Sequence, residues 1–278
     1  MTLFLNLRTQ NVGGSVVDPY LLDGDATVSP PALRAVNWAE IAPLVEGRNV
    51  LFVTHGFNVS YQDGARSLAM LGARLACTDS ELFIGVLWPG DWWLPVVNYP
   101  FEGEVAIDCG RRVAAFAARW MAGAQSISLA SHSLGARVVL ETAERLSQPA
   151  RSLTVTAGAV NHDCLATQYA DAASNAVAVS VLASQQDWVL KLAFRIGDPI
   201  SELLRDDHSP FQPALGYDGP HGALPDSLHG PWQIPPSANY GHGSYLPPSN
   251  GVDAPGAKWH QVADYIGRAW RGEGQGWP

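Results

Sequence analysis

Five apolar runs of strand length alternate with helix-patterned segments along most of the chain: 49–54, 82–88, 126–130, 153–160 and 176–183. Each is too continuous to leave one face in water, so each reads as a strand buried on both faces. Such strands belong to parallel sheets, and parallel neighbours need a long, usually helical, crossover between them. The intervening segments can supply it. Residues 63–77 place Ala65, Leu68, Leu71 and Leu75 at helical spacing, with Asp63 as the expected cap. Residues 104–121 place Val105, Cys109, Val113, Phe116 and Trp120 on one side, and 134–146 follows the third run directly. Shorter helices are expected around 165–172 and over 187–194, and a last one over 259–270. Thr2–Arg8 and 15–20 read as two further strands. The stretch punctuated by Pro30, Pro31 and Pro43 reads as an unpatterned connection. The expectation is one α/β domain over residues 1–278, a mostly parallel central sheet with helices on both faces. Nothing between 130 and 200 leaves room for a large cap domain, so a lid would come from 90–103 or 198–256.

Charge and composition narrow the function classes. The net charge is −9, and the longest basic run is Arg111-Arg112, which argues against nucleic acid and anionic membrane surfaces as partners. No window of 18 uninterrupted apolar residues exists, so no membrane span is expected. The first ten residues lack the basic start of a signal peptide, and a cytoplasmic location is expected. Cys77, Cys109 and Cys164 form neither a ligand cluster nor an even disulfide set, and each is expected to be a small buried side chain. No G-x-G-x-x-G follows the first strand, and no H-E-x-x-H or H-x-x-E-H spacing occurs. His208 with Asp206 and Asp207, or His242 with Asp253, are weak metal candidates. No cofactor and no metal is expected.

The link after 126–130 reads Ser131-His132-Ser133-Leu134-Gly135 and joins strand to helix with almost no loop. It matches the nucleophile elbow G-x-S-x-G except at its first position, where Ser131 replaces glycine. A serine at the centre of such a turn projects its hydroxyl from the sheet edge, towards the positive end of the next helix. The ordinary alternative is that Ser133 only caps that helix. At the end of 49–54 stands His55-Gly56-Phe57-Asn58, placed to offer a backbone N–H, that of Phe57, as one oxyanion donor. Leu134 N–H would be the other. His55 is expected to tie its loop, and His132, adjacent to the serine, is a poor base.

These motifs resemble the α/β-hydrolase superfamily. More narrowly, they resemble a bacterial uncharacterised hydrolase-like group with an H-G-[FY]-N segment, a strand ending W-P and an S-H-S-[LM]-G elbow. Here those are His55 to Asn58, Trp88-Pro89-Gly90 and Ser131 to Gly135. The resemblance implies the order nucleophile, acid, histidine. The acid position after the seventh strand falls on Asp187, with Asp163 as runner-up. If Asp187 instead caps the helix behind it, its side chain is poorly placed for both jobs. The histidine belongs in the last long loop. Residues 206–256 hold 18 of the 47 glycines and prolines and four of the eight histidines. His242, followed by Gly-Ser-Tyr, fits best, with His260 and the other loop histidines behind it. His221 and His229 are expected on exposed turns. The resemblance therefore implies a catalytic set of Ser133, His242 and Asp187, with residues 206–256 an ordered excursion that carries His242 over the pocket.

Trp88, Trp92, Trp93 and Tyr99, with Trp188 and Trp232, would wall an apolar acyl or aryl site. The acidic chain offers no special attraction to phosphorylated substrates, which favours small or medium neutral esters. The expected function is a serine carboxylic ester hydrolase. The alternatives are an inactive binding protein of the same fold, or a thioesterase or amidase using the same three residues.

Overall fold

The computed structural model describes residues 2–91, 95–193, 212–274 and 277, and of 95–102, 193 and 229 the backbone alone. Nine strands form one sheet: β1 (Thr2–Arg8), β2 (Val16–Asp25), β3 (Ala32–Ala35), β4 (Asn49–Thr54), β5 (Glu81–Leu87), β6 (Ser126–His132), β7 (Leu153–Thr156), β8 (Val179–Leu182) and β9 (Leu228–His229). Their order is β3-β2-β1-β5-β4-β6-β7-β8-β9. The β3-β2-β1 edge is antiparallel; from β1 to β9 every pairing is parallel. This is the mostly parallel sheet that the continuous apolar runs require. Val50, Leu51, Phe52 and Val53 of β4 are all buried, each worth about 1.5–3 kcal/mol as it leaves water.

Helices cover the sheet. They are α1 (Trp38–Val45), α2 (Tyr61–Leu75), α3 (Pro95–Trp120), α4 (Gly135–Arg145), α5 (Ala170–Ser174), α6 (Trp188–Ala193), α7 (Leu215–Asp218) and α8 (Trp259–Arg271). Register lines up the strand ends: Thr54 of β4 faces Val86 of β5 and Ser131 of β6, and His132 faces Thr156 of β7. The His55 loop and the elbow therefore leave the sheet side by side. Among the described residues, no helix is long and apolar enough to cross a membrane.

The structure departs from the sequence reading in local ways. The proline-rich connection contains β3 and α1, and Pro43 lies inside α1. Asn37 caps that helix by accepting from Ala39 N–H, and Ile41 and Val45, one turn apart, are buried. The cap of α2 is Ser60, whose Oγ accepts Asp63 N–H while donating to the Asp63 carboxylate. Strand β7 stops at Thr156 because Ala157 turns to φ 46°. Cys109 and Cys164 are buried as expected, but Cys77 is exposed. Helix α2 ends at Leu75 with Ala76 left-handed, which swings the next residue to the surface. His229 lies in β9 rather than on a turn, its backbone paired with Ser180.

Candidate active site

Ser133 sits between β6 and α4 with φ 54°, a left-handed backbone that costs a non-glycine residue about 1–2 kcal/mol. Neighbours over-determine it. Ser133 N–H donates to Thr156 C=O, and its own carbonyl accepts from the N–H groups of Ala136 and Ala159. The turn is tight enough that a Cβ on Gly135 would lie 2.0 Å from Thr54 Oγ1 and 2.4 Å from His55 O. Only glycine fits there. A Cβ on Gly56 would come within 2.8 Å of Ser133 Cβ, so the His55 loop lies directly against the serine. Ser131 is accommodated within β6, with 2% exposure.

The structure brings together three side chains that lie far apart in sequence. Ser133 Oγ is 2.8 Å from His242 Nε2, and His242 Nδ1 is 2.8 Å from Asp187 Oδ2. An ionised carboxylate only accepts, so Nδ1 carries the proton, and Nε2 is left as the acceptor for the serine hydroxyl. Asp187 is fully buried and also accepts Leu190 N–H on Oδ1 at 3.1 Å. The expected conflict between capping and serving the histidine does not arise, because each job takes a different oxygen. Among the described residues, no hydrogen bond joins Asp163 to His242. Its carbonyl accepts from Ala166 N–H and Thr167 Oγ1, and Asp187 holds the position at the histidine.

The described part of the Gly/Pro-rich stretch is laced to the sheet edge. Ala183 N–H donates to Trp232 C=O, Ile234 N–H to Ala183 C=O, and Ser184 Oγ to Tyr240 C=O. The His242 carbonyl is held by His132 Nε2 at 2.9 Å, with the two rings 4.8 Å apart. A carbonyl only accepts, so His132 is the Nε2–H tautomer. His132 is thus no base but a strut under the histidine turn, a role that sequence reasoning did not foresee.

His55 ties its own loop by donating Nδ1–H to Gly56 C=O at 2.9 Å. Burial pushes both His55 and His132 down from 6.5 to about 3, so both rings are neutral in the folded protein. In the unfolded chain each takes up a proton near 6.5. Between about pH 6.5 and 3, therefore, the unfolded state binds protons that the native state refuses. Their contribution is complete above this window and is lost as pH falls, by roughly 1.4 kcal/mol per pH unit for each ring. Urea unfolding at stepped pH should show stability falling from about pH 6.5 downward, and more gently in His132→Gln. Equal slopes would place the proton uptake elsewhere.

A buried ion pair supports the loops. Arg8 is fully buried; it pairs with Asp91 and donates to Val59 C=O and Trp88 C=O. Asn58, at φ 56°, donates its N–H to Gly90 C=O, which joins the H-G-F-N loop to the W-P-G turn. The sequence signal for this clamp is slight: one arginine at the end of an apolar strand. Asp91→Ala would leave the guanidinium buried and unpaired, and should cost about 3–5 kcal/mol in urea unfolding. A loss below about 1 kcal/mol would mean that water relieves the charge.

The expected aromatic wall is revised. Trp88 has no exposed surface. Its ring stacks on His55 and its indole N–H donates to His55 C=O, so it supports the loop from below. Trp188 is 60% exposed with Lys191 Nζ over its ring, and Trp232 packs partly buried against the core. Trp92, Trp93 and the side chain of Tyr99 lie outside the described residues, as does His208. His260 pairs with Asp253, whereas His242 pairs with Ser133 and Asp187. A cavity of about 800 Å³ opens at the other end of the strands, beside Thr2, Arg34, Cys77 and Phe83; its lining includes none of Ser133, His242 and Asp187.

A parallel sheet flanked by helices, with a left-handed serine at the strand-to-helix turn beside an oxyanion-type loop, defines an α/β hydrolase. The sequence profile of the family described as "Alpha/beta hydrolase of unknown function (DUF900)" matches residues 39–215, and the chain belongs to this family. No curated protein matches the sequence. Among solved structures, this chain is similar to "Phospholipase PlaB from Legionella pneumophila in complex with thio-NAD". The two are 16% identical with a TM-score of 0.30, over 49% of this chain and 37% of that one. A likeness of that size bears on neither substrate nor mechanism.

Proposed function

We propose that the protein is a serine hydrolase that cleaves carboxylic esters by acyl transfer. The observation that carries this reading is the hydrogen-bonded series Ser133–His242–Asp187, with both links at 2.8 Å, mounted on a left-handed turn. His242 Nε2 takes the proton of Ser133 as Oγ attacks the ester carbonyl, and Asp187 holds the ring tautomer and stabilises the imidazolium. The N–H groups of Leu134 and Phe57 stabilise the oxyanion. Leu134 is the N-cap of α4, and Phe57 follows the glycine that lies against Ser133. Collapse of the intermediate returns the proton from His242 to the leaving alkoxide. Water, activated by the same nitrogen, then releases the acid and frees Ser133.

The chain's acidity and its lack of basic clusters favour small or medium neutral esters over phosphorylated ones. Treatment of the folded protein with a fluorophosphonate probe should label one serine, and a panel of neutral esters should be turned over. A folded protein that takes no label would point instead to a binding protein with a hydrolase fold. Turnover of thioesters or amides in preference to esters would move the substrate class and leave the mechanism.

A further inference from the structure

Three metal-ligating side chains outside the Ser133–His242–Asp187 set converge. His162 Nδ1 lies 3.2 Å from Asp218 Oδ2, and His221 Nε2 lies 3.0 Å from the same oxygen. All three donor atoms lie within 4.8 Å of one another, and the two rings stack at 4.3 Å. Sequence spacing could not disclose this set, because His162 stands 56 residues before Asp218. The segments that carry it are fixed before any ligand arrives. His162 N–H donates to Pro213 C=O, Leu215 N–H to Val160 C=O, Gly216 N–H to Gly158 C=O and His221 N–H to His162 C=O. Gly216 lies so close to Ala157 that a Cβ there would come within 2.2 Å of its carbonyl carbon.

We infer that His162, Asp218 and His221 bind one divalent transition-metal ion of the zinc class. This site is independent of the reaction proposed at Ser133. Two imidazoles and one carboxylate suit zinc, whereas calcium and magnesium prefer all-oxygen shells. With metal–ligand bonds near 2.0–2.1 Å, the edges of a tetrahedron are about 3.3 Å. The two edges to Asp218 are already within about 0.3 Å of that length. The third needs His162 and His221 to close by at most ~1.5 Å, a side-chain adjustment open to the half-exposed His221. Side-chain exposures of 18%, 29% and 51% for His162, Asp218 and His221 leave an entry path and room for a water as fourth ligand.

The bound ion would act as a clamp. One of its loops reaches the elbow through Ala159 N–H on Ser133 C=O, and the other reaches the acid loop through Ser184 N–H on Gly216 C=O. It would therefore stabilise the folded state by linkage.

The test uses the full chain stripped with a chelator and titrated with zinc chloride by calorimetry, alongside thermal melts. One equivalent should bind, and the melting temperature should rise by several degrees at saturating zinc. His221→Ala should weaken binding at least about tenfold and abolish the thermal shift, while His242→Ala keeps both. Cobalt(II) added to the wild-type chain should give the strong visible bands of a tetrahedral site, and magnesium should produce neither heat nor shift. The inference is overturned if zinc does not bind, if His221→Ala binds as tightly as wild type, or if binding disappears in His242→Ala. The last result would put the ion at the Ser133 site. The cobalt spectrum, read on wild type, decides the matter should His221→Ala fail to fold.

Discussion

Ser133→Ala should lower ester turnover by roughly three to six orders of magnitude and abolish fluorophosphonate labelling, while leaving the protein folded. The proposed mechanism has no second nucleophile, since Ser133 alone donates to His242 Nε2 among the described residues. What activity remains would come from the oxyanion donors and from binding, which survive the change. Fold should survive as well, because alanine meets the same backbone demand as serine at φ 54°. Ser133→Gly separates function from strain further. Glycine pays little for the left-handed turn, so this variant should be equally inactive yet more stable, by up to about 1 kcal/mol in urea unfolding. Label retained in Ser133→Ala would identify another reactive residue. Full activity in Ser133→Gly would remove the serine from the chemistry altogether.

What the sequence disclosed, and what it hid, follows the range of the forces involved. The β4, β5 and β6 runs and the S-H-S-L-G turn are local: burial on both faces dictates an unbroken apolar run, and a strand-to-helix turn dictates small residues around its centre. Gly135 shows the logic, since Thr54 and His55 leave no space for a side chain. Helix α1 was hidden because Pro43 breaks the expected pattern, although Asn37 supplies a cap and Ile41 with Val45 a buried stripe. The double use of Asp187 is hidden for a different reason. Local reasoning assigns a side chain one job, whereas a carboxylate has two oxygens and the fold uses both. The Arg8–Asp91 pair and the His132 strut were out of reach because they join residues 83 and 110 positions apart. Periodicity carries no trace of such pairings; only the closed sheet brings them together. Trp88 is a related case: an aromatic in a site-adjacent loop reads as a wall until its N–H is seen bonded to His55 C=O beneath the turn.

The dual use of Asp187 separates its two roles experimentally. In Asp187→Asn, the amide oxygen can still accept Leu190 N–H, so the start of α6 keeps its cap and stability should fall by less than about 1 kcal/mol. The amide then turns its NH2 toward His242 Nδ1, which can pair with it only as an acceptor. That tautomer carries the proton on Nε2, and a protonated Nε2 cannot remove the proton of Ser133. Turnover should drop about 10⁴-fold, an effect close to that of His242→Ala, whereas His260→Ala, whose ring pairs with Asp253 instead, should leave turnover near wild type. Asp187→Ala should lose both functions, adding roughly 1 kcal/mol or more of destabilisation to the same collapse in rate. Because the three residues act as a unit, Ser133→Ala combined with His242→Ala should be scarcely slower than Ser133→Ala alone. Equal losses from His260→Ala and His242→Ala would mean that His242 is not the base. Wild-type rates in Asp187→Asn would mean that the histidine needs no acid, and that Asp187 serves only as the cap of α6.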